Sequence, residues 1–554
     1  MAPVNAWHPL FATPRSIAYP IKTACVGGFF TDECFMAVPI NDLPSLSDGT
    51  HPEAALPTGW RVPWTLLILA LPIIGSMVSR TAMSFVDFYM VSQLSTDAQA
   101  AIMPAGILVF CFISLGMGTL SAVNTFVSQS LGAKRYRDCS SYNWQGLYLS
   151  ALYALLLFPL YYLLPFLFRV VGHAPHVQEM EVVFAQICIL GLFPSIAAAS
   201  LSNFFNGLHK PAIGFWVAII ANVFNVVAVY ALVFGYPTAH VPALGFVGSI
   251  LTHAFDAVSS SLLFLGFPPL HIPAMGIAGS AWGTFLATVL QTAILFGWTL
   301  LPSYHRLYAT RSTYQLHMGQ IWRIIKVGFP AGLQFVADIA AFTIFTLFLV
   351  GRFGTTQLAA SNLAFKFLEI SFMPLVGLSI ALTASVGKAI GQGRPDYARL
   401  VTRWTMLFSL GYVGFIALLY VLIPNQLVGL LTSDPAVQSE AARVLLLCAL
   451  FQIFDAVGIT HMGALRGAGD NIFPALAGVL IAGTVFIPGG YLLAHFYPSW
   501  QIMGPWTAAT AYVILFGLSL LARWQWGPWE KIDLLQQRRV AVIVPADITL
   551  NKSQ

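Results

Sequence analysis

The chain contains two halves that repeat each other at a fixed distance along the sequence. The segment GTLSAVNTFVSQSLGAKR recurs downstream as GLSIALTASVGKAIGQGR. The matching positions lie 259 residues apart, in the pairs Gly118 and Gly377, Gly132 and Gly391, and Arg135 and Arg394. A further pair is Gly207 in NFFNGLHKP and Gly467 in GALRGAGDNIFP. A chain with this repeat is expected to fold as two similar units.

Long apolar runs lie between these repeated Gly and Arg positions. Hydrophobic residues make up 58% of the chain and charged residues only 8%, against about 25% charged in soluble domains. Runs of span length lie near residues 62–90, 99–127, 143–168, 182–208, 211–235, 276–301, 319–350, 355–386, 403–430, 441–466, 473–497 and 502–526. They are continuously apolar and do not alternate, which favours helices over barrel strands. We therefore predict an all-α polytopic membrane protein with twelve transmembrane helices in two pseudo-symmetric six-helix lobes, as in many secondary transporters.

The positive charges predict how the chain is oriented. With an inside amino-terminus and twelve crossings, 21 of the 26 Lys and Arg residues fall in the inside segments. The five exceptions are Arg80, Arg169, Arg352, Lys366 and Arg443. Because cytoplasmic loops carry the excess of Lys and Arg, we predict a plasma-membrane protein (inner membrane in a Gram-negative cell) with both termini in the cytoplasm. The net charge of +5 belongs to these loops and does not indicate a nucleic-acid partner.

Composition also divides the chain into segments. Residues 1–60 are rich in Pro and small residues and show no convincing signal peptide, so we predict a disordered tail. The other predicted segments are an N lobe (61–301), a cytoplasmic linker (302–318), a C lobe (319–526) and a cytoplasmic tail (527–554).

An insert makes the N lobe longer than the C lobe. PALGFVGS is nearly copied 31 residues later as PAMGIAGS, from residue 242 to residue 273, which marks 236–275 as an insertion or local duplication. Its apolar stretch would carry His253 and Asp256 into the membrane if it were a thirteenth span, and an intramembrane Asp is costly. One more crossing would also reverse the charge bias. We therefore predict an exofacial or re-entrant insert.

Ionisable residues inside spans are functional candidates, because their burial in lipid is expensive. They are Arg80, Asp87, Asp338, Lys366, Glu369 and Asp455. The i, i+3 spacing of Lys366 and Glu369 predicts a structural pair, and Arg80 lies two turns from Asp87 on one helix face, which predicts partial compensation. Asp338 and Asp455 have no basic residue within two turns of their own helices. Such a carboxylate can carry a proton or coordinate Na⁺, or it can form an ordinary interhelical hydrogen bond.

The motifs together resemble the MATE (multidrug and toxic compound extrusion) family, and within it the NorM-type branch. The resemblance covers about residues 62–526. It is carried by ALPIIGSMVSRTAMSFVDFYMVSQL around Asp87, the paired loops FVSQSLGAKR and SVGKAIGQGR, GFPAGLQFVADIAAF around Asp338, and ALFQIFDAVGITHMGALRGAGDNIFP around Asp455. The branch usually has Glu where this chain has Asp338, and many relatives are neutral at the position of Arg80.

The resemblance implies a V-shaped pair of lobes that exports organic cations or amphipathic drugs against Na⁺ or H⁺ by alternating access. It implies that Asp87, Asn203 and Asn225 lie near the N-lobe proton or substrate site. It places Asp338 and Asp455 at the C-lobe cation site, where Na⁺ would bind. It further implies a monomer in membrane lipid, with no cofactor apart from the coupling ion.

Two other classes fit parts of the sequence. A lipid-linked oligosaccharide flippase of the same superfamily would need a cationic cavity, whereas the unpaired intramembrane charges here are acidic. An intramembrane aspartyl protease would use a GxGD motif such as Gly467-Ala468-Gly469-Asp470 together with Asp455. Arg466 marks that motif as cytoplasmic, and helix-end turns explain it equally well. We therefore predict a transporter and not an enzyme.

Overall fold

A computed structural model describes residues 56–236, 252–253, 255–256, 259–261 and 271–535 of the chain. Apart from one isolated backbone bridge, the regular structure in these residues is helical. The N-lobe helices are α1 (Arg61–Ser92), α2 (Thr96–Leu120), α3 (Ala122–Gly132), α4 (Tyr136–Leu157), α5 (Leu160–Val171), α6 (Pro175–Leu190), α7 (Leu192–Gly207), α8 (Pro211–Phe234) and α9 (Ile277–Thr299). The linker contains α10 (Pro302–Tyr308).

The second half repeats this order. Its helices are α11 (Met318–Ile344), α12 (Thr355–Gly391), α13 (Pro395–Leu422), α14 (Pro424–Gly429), α15 (Pro435–Ala468), α16 (Ile472–Ile481), α17 (Ile487–Phe496) and α18 (Met503–Trp526). A π-helical segment, Phe345–Val350, extends α11, and another, Ala482–Phe486, joins α16 to α17.

These helices form twelve spans when broken helices are joined. Ten helices or continuous helical segments in the described residues are long and apolar enough to cross a membrane. Two further spans are bent, by 50° between α4 and α5 and by 46° between α6 and α7. The breaks fall at Pro159 and Gly191, residues that weaken a helix. The predicted all-α fold with two six-helix halves is therefore confirmed.

The two halves touch where α3 approaches the last turns of α12. A methyl group on Gly132 would collide with the backbone carbonyl of Lys388, and one on Gly391 would collide with that of Gln129. Gly132 and Gly391 are equivalent positions of the sequence repeat, so each half presents the same glycine to the other. We call this end of the bundle, where α3 meets α12, the closed end.

The same symmetry relates the packing inside each lobe. Gly207 fits against Asn124 and Val127 of α3, and Gly467 fits against the equivalent positions of α12, Thr383 and Val386. The repeat therefore encodes a pseudo-symmetric packing motif in which glycine permits backbone contact.

Polar groups tie the lobes together at the closed end. Thr125 Oγ1 donates to the Arg466 carbonyl (2.9 Å), and Gln129 Nε2 donates to the Gly467 carbonyl (3.0 Å). The segment after α18 also links the lobes. Trp529 stacks on Trp524 (4.0 Å between ring centroids) in the C lobe, and six residues later the Leu535 carbonyl accepts a bond from Arg135 of the N lobe (3.2 Å).

The insert begins and ends at the same place. The backbones of Tyr236 and Ile272 pair through two hydrogen bonds of 2.7 and 2.8 Å at the end of α8. Because the two ends of the insert are paired with each other, they lie on the same side of the bundle. A single membrane crossing between them is therefore inconsistent with the structure. Asp256 accepts a hydrogen bond from the hydroxyl of Tyr236 (2.7 Å), the residue at the first of these two ends. The rest of the insert, the tail 1–55 and residues 536–554 lie outside the described residues.

Substituting Gly391 is expected to separate the lobes at the closed end. Gly391→Val places a branched side chain against the Gln129 backbone, and close-packed interfaces do not absorb such volume. Spin labels at the exposed positions Arg137 and Asp396, read by double electron–electron resonance, should show a longer distance than in the unsubstituted chain. Gly214→Val is the control, since nothing lies within 4 Å of a Cβ at Gly214. Identical distance distributions for both variants would contradict this packing.

The closed end is also expected to be sensitive to pH through His209, in the turn between α7 and α8. Its Nε2 donates to the Ala384 carbonyl of the other lobe (3.2 Å). Burial, and then the charge of Lys388, lower the pKa of His209 from 6.5 to about 3. When the lobes part, this pKa should return toward 6.5, so contact is fully favoured above pH 6.5 and weakens as pH falls toward 3. The ratio of closed to parted molecules should drop by up to about tenfold per pH unit.

The same pair of spin labels measures this effect. His209→Gln should remove most of the pH dependence between pH 7 and 5, because glutamine keeps a hydrogen-bond donor and does not titrate. An equal pH response in both proteins would show that other groups control the contact.

Candidate functional site

The N-lobe site joins three helices around Asp87. The Asp87 Oδ2 accepts a hydrogen bond from Thr284 Oγ1 on α9 (3.4 Å), and Asn225 Nδ2 on α8 donates to the same hydroxyl (3.3 Å). The Asn225 side chain also interacts with the Asp87 carboxylate. The predicted grouping of Asp87 with Asn225 is thus what the structure shows, and Thr284 is a partner that sequence reasoning missed.

This site has more acceptors than donors. Asp87 Oδ1 and Asn225 Oδ1 are both buried and have no hydrogen-bond partner among the described residues. An unpaired buried acceptor costs about 1–3 kcal/mol. A proton or a cationic group would satisfy these atoms, so the N-lobe site is suited to a positively charged ligand.

Two other N-lobe residues lie apart from this site. Asn203 on α7 donates to the Leu120 carbonyl at the α2–α3 break (3.4 Å), and this is a partner other than Asp87. Its assignment to the site stays a prediction. The expected compensation of Asp87 by Arg80 is wrong, because the Arg80 guanidinium points to Met117 of α2 (4.0 Å to sulfur).

The C-lobe site brings Asp338 and Asp455 together. They lie on α11 and α15 and are close enough for electrostatic repulsion. Asp338 Oδ1 accepts a hydrogen bond from the Tyr512 hydroxyl of α18 (3.2 Å). The Tyr512 ring is held between Phe486 and Phe516, with near-parallel rings at 5.2 and 5.9 Å. The hydroxyl is therefore fixed in direction, and sequence reasoning did not identify it.

Arg466 is a cation near the C-lobe acids. It lies three turns beyond Asp455 on α15 and interacts electrostatically with Asp338. Its guanidinium donates to Gln334 Oε1 (3.3 Å) and lies over the Phe335 ring (5.4 Å). The sequence within two turns of each Asp contains no basic residue. It therefore could not show that Arg466 interacts with Asp338 of another helix.

The polar groups around Asp338 and Asp455 present oxygen atoms to a cation. Within the described part of the chain, no three His, Cys, Asp or Glu side chains lie together in a way that could hold a metal ion. Asp338, Asp455 and the Tyr512 hydroxyl offer two carboxylates and one neutral oxygen. Carboxylate and hydroxyl oxygens are hard ligands, and two carboxylates can alternatively share a proton.

The remaining charged candidates have structural roles. Lys366 Nζ lies 3.0 Å from Glu369 Oε2, as predicted for a pair on one helix face. Asp470 of the GxGD motif forms an ion pair with Arg523 (2.8 Å) and follows Gly469, whose φ of +93° ends α15. Glycine is favoured at such a left-handed C-cap. The motif is thus a helix end, and the protease alternative has no support.

Twelve spans in two similar lobes, each with acidic residues inside, define a membrane transporter of the two-lobe class. The chain belongs to the MatE family, whose sequence model matches residues 72–231 and 330–492, one stretch in each lobe. The predicted family is thereby confirmed, and with it the prediction of a transporter and not an enzyme.

Relatives with assigned names cover most of the chain. A "Probable multidrug resistance protein NorM" of Rhizobium meliloti is 25% identical over 442 residues, covering 77% of this chain and 85% of the relative. The protein of the same name from Pseudomonas syringae pv. tomato is 25% identical over 509 residues, covering 88% of this chain and 99% of the relative.

Solved structures share the fold at lower identity. The eukaryotic MATE transporter AtDTX14 superposes with a TM-score of 0.69 at 17% identity, over 87% of this chain and 99% of that one. A MATE protein in the straight conformation gives 0.71 at 16% identity, over 84% and 95%.

Replacing Thr284 should destabilise the N-lobe site. Thr284→Val keeps the shape of the side chain but removes the hydroxyl that bridges Asp87 and Asn225, leaving more buried groups unpaired at a cost of about 1–3 kcal/mol. The melting temperature of the purified protein in detergent should fall. Thr284→Ser keeps the hydroxyl, so its melting temperature should fall less. A larger decrease for the serine variant than for the valine variant would refute the bridging role.

Proposed function

We propose that this chain is a secondary active multidrug efflux transporter that exports organic cations or amphipathic drugs in exchange for Na⁺ or H⁺ by alternating access. The names of its relatives support the substrate class. The observation that carries the exchange mechanism is the approach of Asp338 and Asp455 inside the C lobe.

Two carboxylates that repel each other electrostatically, as Asp338 and Asp455 do, are unfavourable unless a positive charge neutralises them. Only one hydrogen bond to this pair, from Tyr512 to Asp338, is present among the described residues. Repulsion in a low-dielectric interior is strong. A proton, Na⁺ or an organic cation would each relieve it, and binding of one would lower the affinity for the others. This competition is the thermodynamic requirement for antiport.

The competition must also differ between two conformations, because a ligand shifts an equilibrium only through differential affinity. Arg466 gives the C-lobe site a physical connection to the closed end. Its side chain interacts with Asp338, and its backbone carbonyl accepts the interlobe hydrogen bond from Thr125. In our proposal, neutralising Asp338 weakens its attraction for Arg466 and so alters the interlobe contact.

The N-lobe site would act as a second cation site. Its unpaired oxygens on Asp87 and Asn225 would hold a proton or a cationic group of the drug. We further propose that the closed end is cytoplasmic, as the charge distribution predicts, so that this conformation is outward-facing in the plasma membrane. The insert would then lie on the exofacial side, and the protein would work as a monomer.

Uptake of a fluorescent organic cation into inverted vesicles tests the function, with a Na⁺ gradient and a pH gradient applied separately. One gradient should drive uptake by the unsubstituted protein, and Asp338→Asn and Asp455→Asn should each reduce it more than tenfold, because neither amide releases or accepts the coupling charge. Glu440→Gln is the control, an acid on the same helix as Asp455 that is paired with Arg443 at 3.2 Å. It should retain uptake.

Three results would contradict the proposal. Transport that survives both Asn substitutions would remove the C-lobe acids from coupling. Equal losses in Glu440→Gln would indicate a general structural effect. Uptake by the unsubstituted protein under neither gradient would refute multidrug antiport, and an assay of lipid-linked oligosaccharide flipping would then test the flippase alternative.

A further inference from the structure

Arg80 is an intramembrane cation that the exchange mechanism leaves without a role. Among the described residues, the Arg80 guanidinium contacts the Met117 sulfur at 4.0 Å. A thioether is a weak acceptor, and so long a contact does not balance the charge. Asp87, the acid on the same helix, bonds to Thr284. The hydroxyl of Ser84 between them donates to the Arg80 backbone (3.2 Å).

Arg80 lies in the interior of α1, away from both ends of the helix. It lies 12 residues from the end of α1 at Ser92 and 19 from its beginning at Arg61, which correspond to about 18 and 28 Å along a helix. A charge inside a membrane span is costly, and no ion pair among the described residues offsets the charge of Arg80.

The position of Arg80 is beside the contact between the lobes. Met117, its neighbour, precedes Gly118, and a methyl group on Gly118 would meet Gly332 of α11 at 2.5 Å. On its own helix, Ile74 packs against Gly377 of α12, less than two turns away. The Arg80 side chain is exposed. It is therefore accessible to a ligand that approaches the contact between the lobes.

The acids of the C lobe begin one turn from this point. Phe335 of α11 packs against the same Gly118, with a ring atom 2.9 Å from where a Cβ would lie. Asp338 follows Phe335 by three residues, about 4.5 Å along the helix. The Arg80 guanidinium of one lobe and Asp338 of the other therefore both lie near the α2–α11 contact.

We propose that Arg80 binds an anionic group of the substrate, in particular a carboxylate, so that the transported compounds include zwitterionic amphiphiles. Guanidinium binds carboxylate through two parallel hydrogen bonds. The cationic end of the same molecule would bind toward Asp338 and Asp455. This assignment rests on the proposed efflux function and narrows its substrate class.

A matched pair of dyes distinguishes recognition of the substrate's carboxylate from recognition of its cationic group. Rhodamine B carries a free carboxylate beside its delocalised cation, and its ethyl ester keeps the cation alone. We would measure the dissociation constant of each dye with purified full-length protein in detergent, and its transport in inverted vesicles. The proteins are the unsubstituted chain, Arg80→Met, Arg80→Lys and the control Lys366→Met, which removes an intramembrane cation that is already paired with Glu369.

Arg80→Met should raise the dissociation constant for rhodamine B about tenfold, equivalent to about 1.4 kcal/mol, and leave that for the ester unchanged. Arg80→Lys should fall in between, because it keeps the charge but loses the bidentate geometry. Lys366→Met should change neither dye.

Equal changes for both dyes in Arg80→Met, or no change in either, would overturn the anion site. The binding measurement decides this even if transport fails. If Arg80→Met transports the ester and does not change the preference between the two dyes, the anion site alone is refuted. If the unsubstituted protein binds the dyes but transports neither of them, the efflux function is refuted.

Discussion

The structure depends on the direct backbone contact between its two halves. Gly132 of α3 and Gly391 of α12 each face the other helix's carbonyl groups at a distance that excludes even a methyl group. Such proximity gives extensive dispersion contact without large side chains, which is how membrane helices associate when lipid removes the hydrophobic driving force. Hydrogen bonds from Thr125 and Gln129 to carbonyl groups of the other lobe add direction to this contact. The lobes thus meet through a polar, close-packed seam.

The ionisable sites lie inside the lobes and near this seam. Arg466 belongs to both regions, since its side chain interacts with Asp338 and its backbone receives the bond from Thr125. A change of charge at the C-lobe acids therefore acts on a residue that is part of the interlobe contact. In the N lobe, Asp87 and Asn225 each have one buried oxygen without a hydrogen-bond partner among the described residues, and a cationic ligand would supply the missing donor or charge. Both lobes thus carry an electrostatic imbalance of the same sign.

Arg80 has the opposite sign. A lone guanidinium in a membrane span is a poor structural element. In our proposal, Arg80 selects among substrates from its position beside the α2–α11 contact and takes no part in the exchange of coupling cations. The paired Lys366 and Glu369 make a useful contrast, because their mutual contact of 3.0 Å accounts for both charges.

The sequence by itself determined the membrane class, the twelve spans, the two-lobe repeat and the acids to examine, because apolar run length, charge bias and repeated glycines are local or periodic signals. It predicted a span near 62–90, and the helix runs from Arg61 to Ser92. Only the tertiary structure decided which groups meet. Thr284, Tyr512 and Arg466 approach their acidic partners from other helices, and Arg80 and Asp87 diverge although they share a helix face. The physical reason is that the helical period determines only which residues share a face of one helix. Which residues from other helices contact that face depends on how the helices pack.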